Sequence, residues 1–379
     1  MYCYAFFICN YVAFILATWT KIPIKLYMLW IVAIFSVVAF LYDPFMQLRF
    51  FGGSGVDLCR HFDSLDLIRL GVDDRLYIEA PLSALYLKVI AHTFEDNNFL
   101  PLISIWIYYG LVFFTCNKFF HLLQLNTSLQ RFAICMILMC GVFFGVMNNI
   151  RYPLAIAIFF LGLYYDVTKK YIFTVLLYCL AALMHPGSIM LLIVRCISMI
   201  RLKFSIVFFP VMTFFIFTYF ESIIGVAVSL LSPFPEVQVL LLSISMKTVY
   251  YSVDSIYDVP LLYRVLTMYM SCFLIFCYIV HKYYGRYRQE FRNIYRMTIF
   301  VTLLSFLGSI TNFMEGNFAG RLMSIAPFFI ALLVSDTLLC LSRENKNYMY
   351  VKILFFLLAL PYICVYLFKV YPNWIYLGL

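Results

Sequence analysis

The stretch from Met147 to Ser188, MNNIRYPLAIAIFFLGLYYDVTKKYIFTVLLYCLAALMHPGS, decides the fold. It contains two apolar runs, at about 152–168 and 171–184, which are joined by Lys169 and Lys170. At ~1.5 Å per residue these runs form helices of about 25 and 21 Å, so they predict one antiparallel hairpin across a membrane. Basic residues concentrate in short cytoplasmic loops. We therefore expect the lysine turn inside, and Arg151 and His185 near each other on the outer face.

The composition of the whole chain indicates a polytopic membrane protein. Of its 379 residues 65% are hydrophobic and 20% aromatic, whereas only 12% are charged. Soluble domains do not have such a composition, and apolar runs long enough to span a bilayer recur along the chain. The twelve cysteines show no CxxC spacing and lie mostly in apolar runs, so we expect no disulfide framework and no metal site. The net charge of +9 is spread over short loops, which argues against nucleic acid as a partner.

The apolar runs predict an all-α protein with about twelve transmembrane helices. They lie at about 4–20, 26–43, 99–117, 130–148, 152–168, 171–184, 187–200, 204–220, 261–280, 294–312, 321–339 and 350–368. The run 81–94 is too short to cross comfortably, so we predict an interfacial or re-entrant segment there. With both termini outside, the inner segments hold 17 of the 27 Lys and Arg, which agrees with the positive-inside rule. The expected organisation is a single integral membrane domain, 1–379, with extracytoplasmic loops at about 44–98 and 221–260.

Ionisable side chains collect at the predicted outer face, where they are costly unless they meet water or one another. They are Asp57, Arg60, His61, Glu79, Arg151, His185, Arg264, Glu315 and Arg321. The helices that begin near 152, 187 and 321 run from outside to inside, so their positive dipole ends face one outer pocket. Arginine adds paired donors that match phosphate oxygens. The pattern therefore predicts a site for a phosphate-bearing ligand at the outer membrane surface.

Simpler interpretations of these residues remain open from the sequence alone. Arg151 and Arg321 can extend to lipid headgroups or pair with Glu315 and Asp57. His185 lies in the sequence MHPGS, where a histidine is as often a satisfied turn residue as a base.

Several short motifs resemble those of the EpsG and Wzy-type polysaccharide polymerases. The family shows an Asn-x-x-Arg-Gln helix start, which Asn148 and Arg151 match, with Tyr152 where glutamine is usual. Its Phe-His-x-Ser element is similar to His185, with Ser188 displaced by one position. The segments Gly55-Val56-Asp57, Glu79-Ala80-Pro81 and Gly320-Arg321 look like further family motifs, and the resemblance covers about residues 52–335.

This resemblance implies a GT-C-like membrane glycosyltransferase of a bacterial inner membrane, with its active site on the periplasmic side. Such enzymes move a growing glycan from undecaprenyl pyrophosphate onto the non-reducing end of a lipid-linked oligosaccharide repeat. Membrane lipids surround them, a chain-length-regulating co-polymerase is a candidate partner, and no cofactor is implied.

Roles for the site residues follow from the predicted pocket and this resemblance together. The expected pyrophosphate-binding residues are Arg151, Arg321 and Arg264. The candidate catalytic bases are His185, Asp57 and Glu79, in that order, because an acceptor hydroxyl has to lose its proton. The expected supporting residues are Asn148, Asn149, Glu315 and Arg60.

Two alternative functions use similar features. An O-antigen ligase or related lipid-carrier glycosyltransferase has the same pyrophosphate leaving group, but one very large late periplasmic loop is absent here. A flippase for the lipid-linked repeat should show two related halves and ionisable residues near the bilayer midplane. The charges of this chain lie at helix ends instead, which disfavours the flippase.

Overall fold

The computed structural model describes residues 2–45, 57–72, 79–141, 143–199, 211, 229, 261–286, 288–310, 317–344 and 347–370. The secondary structure of these residues is helical, and no strand occurs among them. The helices are α1 (Tyr2–Ala17), α2 (Ile24–Phe40), α3 (Asp57–Arg69), α4 (Pro81–Thr93), α5 (Phe99–Leu123), α6 (Thr127–Cys140), α7 (Phe143–Asn148), α8 (Arg151–Val167), α9 (Tyr171–Met184), α10 (Ser188–Met199), α11 (Leu261–Tyr284), α12 (Arg292–Ile310), α13 (Asn317–Met323), α14 (Ala326–Arg343) and α15 (Tyr348–Val365).

The described helices confirm the all-α membrane class. Four helical segments are long and apolar enough to cross a membrane: Phe99–Leu123, Leu261–Tyr284, Gly320–Arg343 and Tyr348–Phe368. Shorter apolar helices accompany them, so the chain is a multi-pass membrane protein by composition and length. The total of twelve spans and the GT-C-like arrangement stay predictions, since the expected span 204–220 and most of the loop 221–260 lie outside the described residues.

Two predicted spans differ in detail from the helices observed. The run 130–148 does not form one helix, because α6 ends where Gly141 adopts an extended backbone, with φ −87° and ψ 156°. The short α7 follows this break. Arg321 lies in the last turn of the short α13, and a turn at Ser324 and Ile325 separates it from α14. The expectation that Arg321 opens a helix is therefore wrong. Helix α13 begins before it, at Asn317, and helix α14 begins after it, at Ala326.

The chain divides into two compact units. Unit 1 comprises Met1–Leu192, Val280–Glu290 and Pro327–Leu379, and unit 2 comprises Ile193–Ile279 and Phe291–Ala326. The single integral domain expected from the sequence stays a prediction.

The hairpin of α8 and α9 is the centre of unit 1. The ring of Phe159 stacks on that of Tyr178 at 4.8 Å between centroids. Gly162 permits this close approach, since a Cβ at that position would lie 2.7 Å from Tyr178. Helix α5 packs beside α8 in the same direction, with Phe119 stacked on Phe160 at 5.4 Å. These contacts bring the ends of α5 and α8 together at the lysine turn, so we name this end of unit 1 the lysine end and the opposite one the Arg151 end.

Helix α4, the predicted interfacial or re-entrant segment, begins and ends at the Arg151 end. At its start the Ser83 hydroxyl donates a hydrogen bond to the carbonyl of Met184, the last residue of α9, at 2.5 Å. After its last turn Phe94 stacks on Phe99, the first residue of α5, at 4.4 Å. Both contacts lie at the same end of the bundle, so α4 does not cross it.

The lysine end contains a buried polar cluster. The Asp336 carboxylate on α14 accepts a hydrogen bond from Arg288 Nε at 3.1 Å and lies 2.9 Å from His281 Nε2. His281 and Asp336 are buried. A buried carboxylate requires such partners, because an unpaired buried charge is strongly destabilising. The cluster therefore fixes the chain around 281–288 to α14.

Candidate functional site

The corner between α7 and α8 presents the motif that begins with Asn148. The Asn149 N–H donates to the carbonyl of Gly145 at 3.0 Å, and the Tyr152 N–H donates to the carbonyl of Asn149 at 3.0 Å. These two turns place Arg151, which is half-buried, at the start of α8. A cation in the first turn of a helix adds to the positive end of the dipole. The corner is therefore a local concentration of positive potential.

Asn148 is buried at this corner without a hydrogen bond. Its side chain is 1% exposed, and neither its amide nitrogen nor its oxygen has a partner among the described residues. The Tyr42 hydroxyl is close to this amide, and it too has no partner within hydrogen-bond geometry among the described residues. Most buried polar groups in proteins are hydrogen-bonded. An unsatisfied amide next to an arginine is therefore suited to a polar ligand.

His61 of α3 packs against the same corner. It is 2% exposed, and burial, followed by the charges of Arg151 and Arg60, lowers its pKa to about 3. The imidazole is therefore neutral at physiological pH and adds no positive charge next to Arg151. A neutral imidazole has one N–H donor and one acceptor nitrogen, so His61 contributes polarity to the corner without like-charge repulsion.

The carboxylate of Asp57 begins α3 and pairs with Arg60 one turn later. Asp57 is half-buried and Arg60 is exposed. His61 lies four residues after Asp57, and residues at this spacing share one face of a helix. The Asp57 carboxylate and the neutral His61 imidazole therefore lie on the same face of α3, the one that packs towards Arg151.

His185 occupies the turn between α9 and α10. Its Nδ1 accepts a hydrogen bond from the Gly187 N–H at 2.9 Å, and its ring meets that of Tyr152 edge-on, with the centroids 5.1 Å apart. The neutral imidazole with Nδ1 as an acceptor carries its proton on Nε2. In this tautomer Nε2 carries an N–H donor, and the role of His185 as the first-ranked base stays a prediction.

Two more elements complete the Arg151 end. Ser188, the first residue of α10, is buried and its hydroxyl has no hydrogen-bond partner among the described residues. Glu79 is exposed just before α4, whose first turn is fixed to α9 through Ser83. The Asn148 and Ser188 side chains are thus both buried and unsatisfied at one end of unit 1.

The remaining predicted site residues belong to unit 2 or lie outside the described residues. Arg264 and Arg321 belong to unit 2, where Arg264 Nε donates to the Ser309 carbonyl at 3.1 Å. The Arg321 carbonyl accepts from the Ser324 hydroxyl at 2.5 Å. Glu315 lies outside the described residues. The structure therefore brings together Asp57, Arg60, Asn148, Arg151 and His185, whereas the convergence of Arg264 and Arg321 with them stays a prediction.

Sequence reasoning assigned no role to three residues that shape this end. His61 was among the outer-face ionisable residues, and its spacing from Asp57 was the signal that could have selected it. Ser83 and Tyr42 carried no comparable signal, because the residues that they approach, Met184 and Asn148, are about a hundred positions away in the chain.

The described residues contain no group of three His, Cys, Asp or Glu side chains that could hold a metal ion. The Arg151 end combines a guanidinium, a helix start and neutral polar groups, which are the groups that proteins use to bind anions.

Comparison with known proteins gives one match. The family model described as "EpsG family" matches residues 75–376, which is most of the chain. No curated protein and no solved structure matches the chain.

Proposed function

Because the chain belongs to the EpsG family, that of Wzy-type O-antigen and exopolysaccharide polymerases, we propose that it transfers a growing glycan between lipid carriers. The donor is the growing chain on undecaprenyl pyrophosphate. The acceptor is the non-reducing end of a new lipid-linked oligosaccharide repeat. The reaction takes place at the periplasmic face of a bacterial inner membrane, a site that the positive-inside distribution of Lys and Arg supports.

The proposed reaction exchanges one bond at the anomeric carbon. The bond between the anomeric carbon of the growing chain and the pyrophosphate oxygen breaks, and both electrons leave with the oxygen. The acceptor hydroxyl oxygen forms the new glycosidic bond to the same carbon and gives its proton to a base. The products are a glycan longer by one repeat and free undecaprenyl pyrophosphate, so no oxidant or other reactant is needed.

The observation that carries this proposal is the buried, unsatisfied Asn148 amide beside Arg151. A leaving pyrophosphate develops negative charge as the glycosidic bond breaks, and fixed donors in a dry site stabilise that charge most effectively. Arg151 provides the charge and the paired donors, and the start of α8 adds its dipole. The Asn148 amide (with the Ser188 hydroxyl) would gain hydrogen bonds only when a ligand is present.

The proton-handling roles follow from the hydrogen bonds of each candidate. His185 Nε2–H donates to a pyrophosphate oxygen, because Nδ1 is occupied by the Gly187 N–H. The acceptor's proton then passes to a carboxylate. Asp57 is the first candidate for this base, since Arg60 orients its carboxylate, and Glu79 is the second. Asn149 supports the corner through its backbone bonds.

Arg321 and Arg264 are the further proposed ligands of the pyrophosphate, and Arg264 Nε donates to the Ser309 carbonyl. Glu315 supports them. A chain-length-regulating co-polymerase is the proposed protein partner.

The test is complementation of a strain that lacks the gene, with surface polysaccharide separated by chain length on a gel. We expect Arg151→Ala to shorten the ladder to single repeats, because loss of one preorganised charge reduces turnover about 10²–10³-fold. Arg151→Lys should restore little, since lysine lacks the paired donors. Arg343→Ala is the matched control: it removes an exposed arginine at the lysine end and should leave the ladder unchanged.

Membrane levels of each variant are measured with a C-terminal tag. A normal long-chain ladder from well-expressed Arg151→Ala and Asn148→Leu variants would refute the site. Polymer that accumulates on its lipid carrier in the deletion strain, instead of single repeats on lipid A, would identify a ligase.

A further inference from the structure

Two basic side chains are buried together at the lysine end of unit 1. Arg131 on α6 is 7% exposed and Lys352 on α15 is 4% exposed. They are close enough to interact electrostatically as like charges. Burial of a cation is expensive unless an anion accompanies it. The pair therefore requires a counter-charge.

The described residues supply no such counter-charge. Arg131 Nη1 donates to the carbonyl of Ile22 at 2.7 Å, but its buried Nε has no hydrogen-bond partner in the described ranges. No ion pair with an Asp or Glu is formed by Arg131 or Lys352 within those ranges. The Lys352 ammonium instead faces aromatic rings, with its Nζ 5.1 Å from the Phe132 centroid and 5.7 Å from that of Trp19.

The helix starts at this point add further positive potential. Arg131 lies in the second turn of α6 and Lys352 in the second turn of α15. The start of a helix carries the positive end of its dipole, so a cation placed there is destabilised and an anion is stabilised. The two cations and the two helix starts therefore all favour an anion at this point.

We propose that Arg131 and Lys352 form a binding site for a phosphate group. The Arg131 Nε–H and the Lys352 ammonium would donate to its oxygens, which is the geometry that arginine and lysine use for phosphate. An anionic phospholipid of the leaflet at the lysine end is one source of this group, because basic pockets between transmembrane helices bind such headgroups. Trp19, whose ring lies near the Lys352 ammonium, is 44% exposed, as is typical of tryptophan side chains at the membrane interface. Inorganic phosphate is the other source.

The test measures thermal unfolding of the purified full chain in nonionic detergent. Phosphatidylglycerol, phosphatidylcholine and inorganic phosphate are titrated separately into wild type, Lys352→Met and Arg131→Met. We expect phosphatidylglycerol to stabilise the wild type and the half-saturating concentration to rise at least about fivefold in either variant, as for loss of one basic residue at an anionic surface. Phosphatidylcholine should have little effect.

Lys118→Met is the matched control, because Lys118 also lies at the lysine end over aromatic rings, 4.7 Å from the Phe114 centroid. It is only half-buried, whereas Lys352 is 4% exposed, so its removal should leave the titration unchanged. Full stabilisation by inorganic phosphate, with no further effect of lipid, would identify the free anion as the ligand. Equal responses of wild type and the Arg131 and Lys352 variants, or an equal loss in Lys118→Met, would overturn the site.

Stability without any added anion provides a second readout. Lys352→Met keeps the apolar stem and removes the charge, so in lipid-free detergent it should be at least as stable as the wild type. A Lys352→Met chain that is less stable, or that does not fold, would show that the lysine is compensated within the protein and would also overturn the proposal.

Discussion

Replacement of His61 by glutamine should remove a specific pH dependence of stability. The folded protein holds the pKa of His61 at about 3, against 6.5 for an unperturbed histidine. Between pH 3 and pH 6.5 the unfolded chain binds a proton at this histidine that the folded chain does not bind. The contribution of His61 to the free energy of unfolding is therefore fully present above pH 6.5 and falls as the pH decreases towards 3. At pH 5 the difference of 1.5 pH units from 6.5 corresponds to about 2 kcal/mol. The free energy of unfolding of the wild type should therefore fall by about 2 kcal/mol between pH 7.5 and pH 5 through His61 alone.

The assay is thermal unfolding in nonionic detergent at pH 7.5 and pH 5. His61→Gln keeps a polar side chain of similar size, and its unfolding midpoint should fall less on acidification than that of the wild type. His92→Gln is the matched control, because His92 is exposed on α4. This control should retain the full dependence of the wild type.

A second variant tests the contact between α3 and the start of α8. The charge of Arg151 is, after burial, one of the causes that lower the pKa of His61, so Arg151→Gln should raise that pKa and lose less stability than the wild type as the pH falls from 5 towards 3. For His61→Gln, a loss of stability between pH 7.5 and pH 5 equal to that of the wild type would refute the burial of a neutral histidine; an Arg151→Gln curve identical to the wild type below pH 5 would refute its contact with this arginine.

Two further predictions concern packing around His185 and the buried cluster at the lysine end. Gly187→Ala should reduce polymer length at normal expression, because the new Cβ would lie 2.9 Å from His185 Nδ1. The control is Gly110→Ala, whose Cβ would have no atom within 4 Å and which should leave the ladder unchanged. Equal ladders from the two variants would contradict the role of the turn at His185. Asp336→Ala should lower the free energy of unfolding by about 3–5 kcal/mol, since it leaves the partners of a buried carboxylate unpaired. One of these partners is His281, which lies 2.9 Å from the carboxylate. Thermal unfolding in detergent measures the loss, and an unfolding midpoint equal to that of the wild type would contradict the prediction.

Local features of the sequence predicted several parts of the structure correctly. The apolar runs on either side of Lys169 predicted the α8–α9 hairpin, and the short run at 81–94 predicted a helix that begins and ends at one end of the bundle. The break at Gly141 was not predicted, because the apolar character continues through it and only the backbone conformation ends the helix. The predicted helix start at Arg321 was also wrong, because hydropathy does not resolve the two-residue turn at Ser324 and Ile325 that separates α13 from α14.

The amino-acid sequence by itself determined the class of the protein and the α8–α9 hairpin, because helix formation and transfer from water depend on local composition. Only the tertiary structure decided that His61 is neutral beside Arg151 and that the Asn148 amide is buried with no hydrogen-bond partner among the described residues. It also decided which nitrogen of His185 carries the proton. These properties depend on burial and on contacts between helices that are distant in the chain, and no pattern within one segment records them.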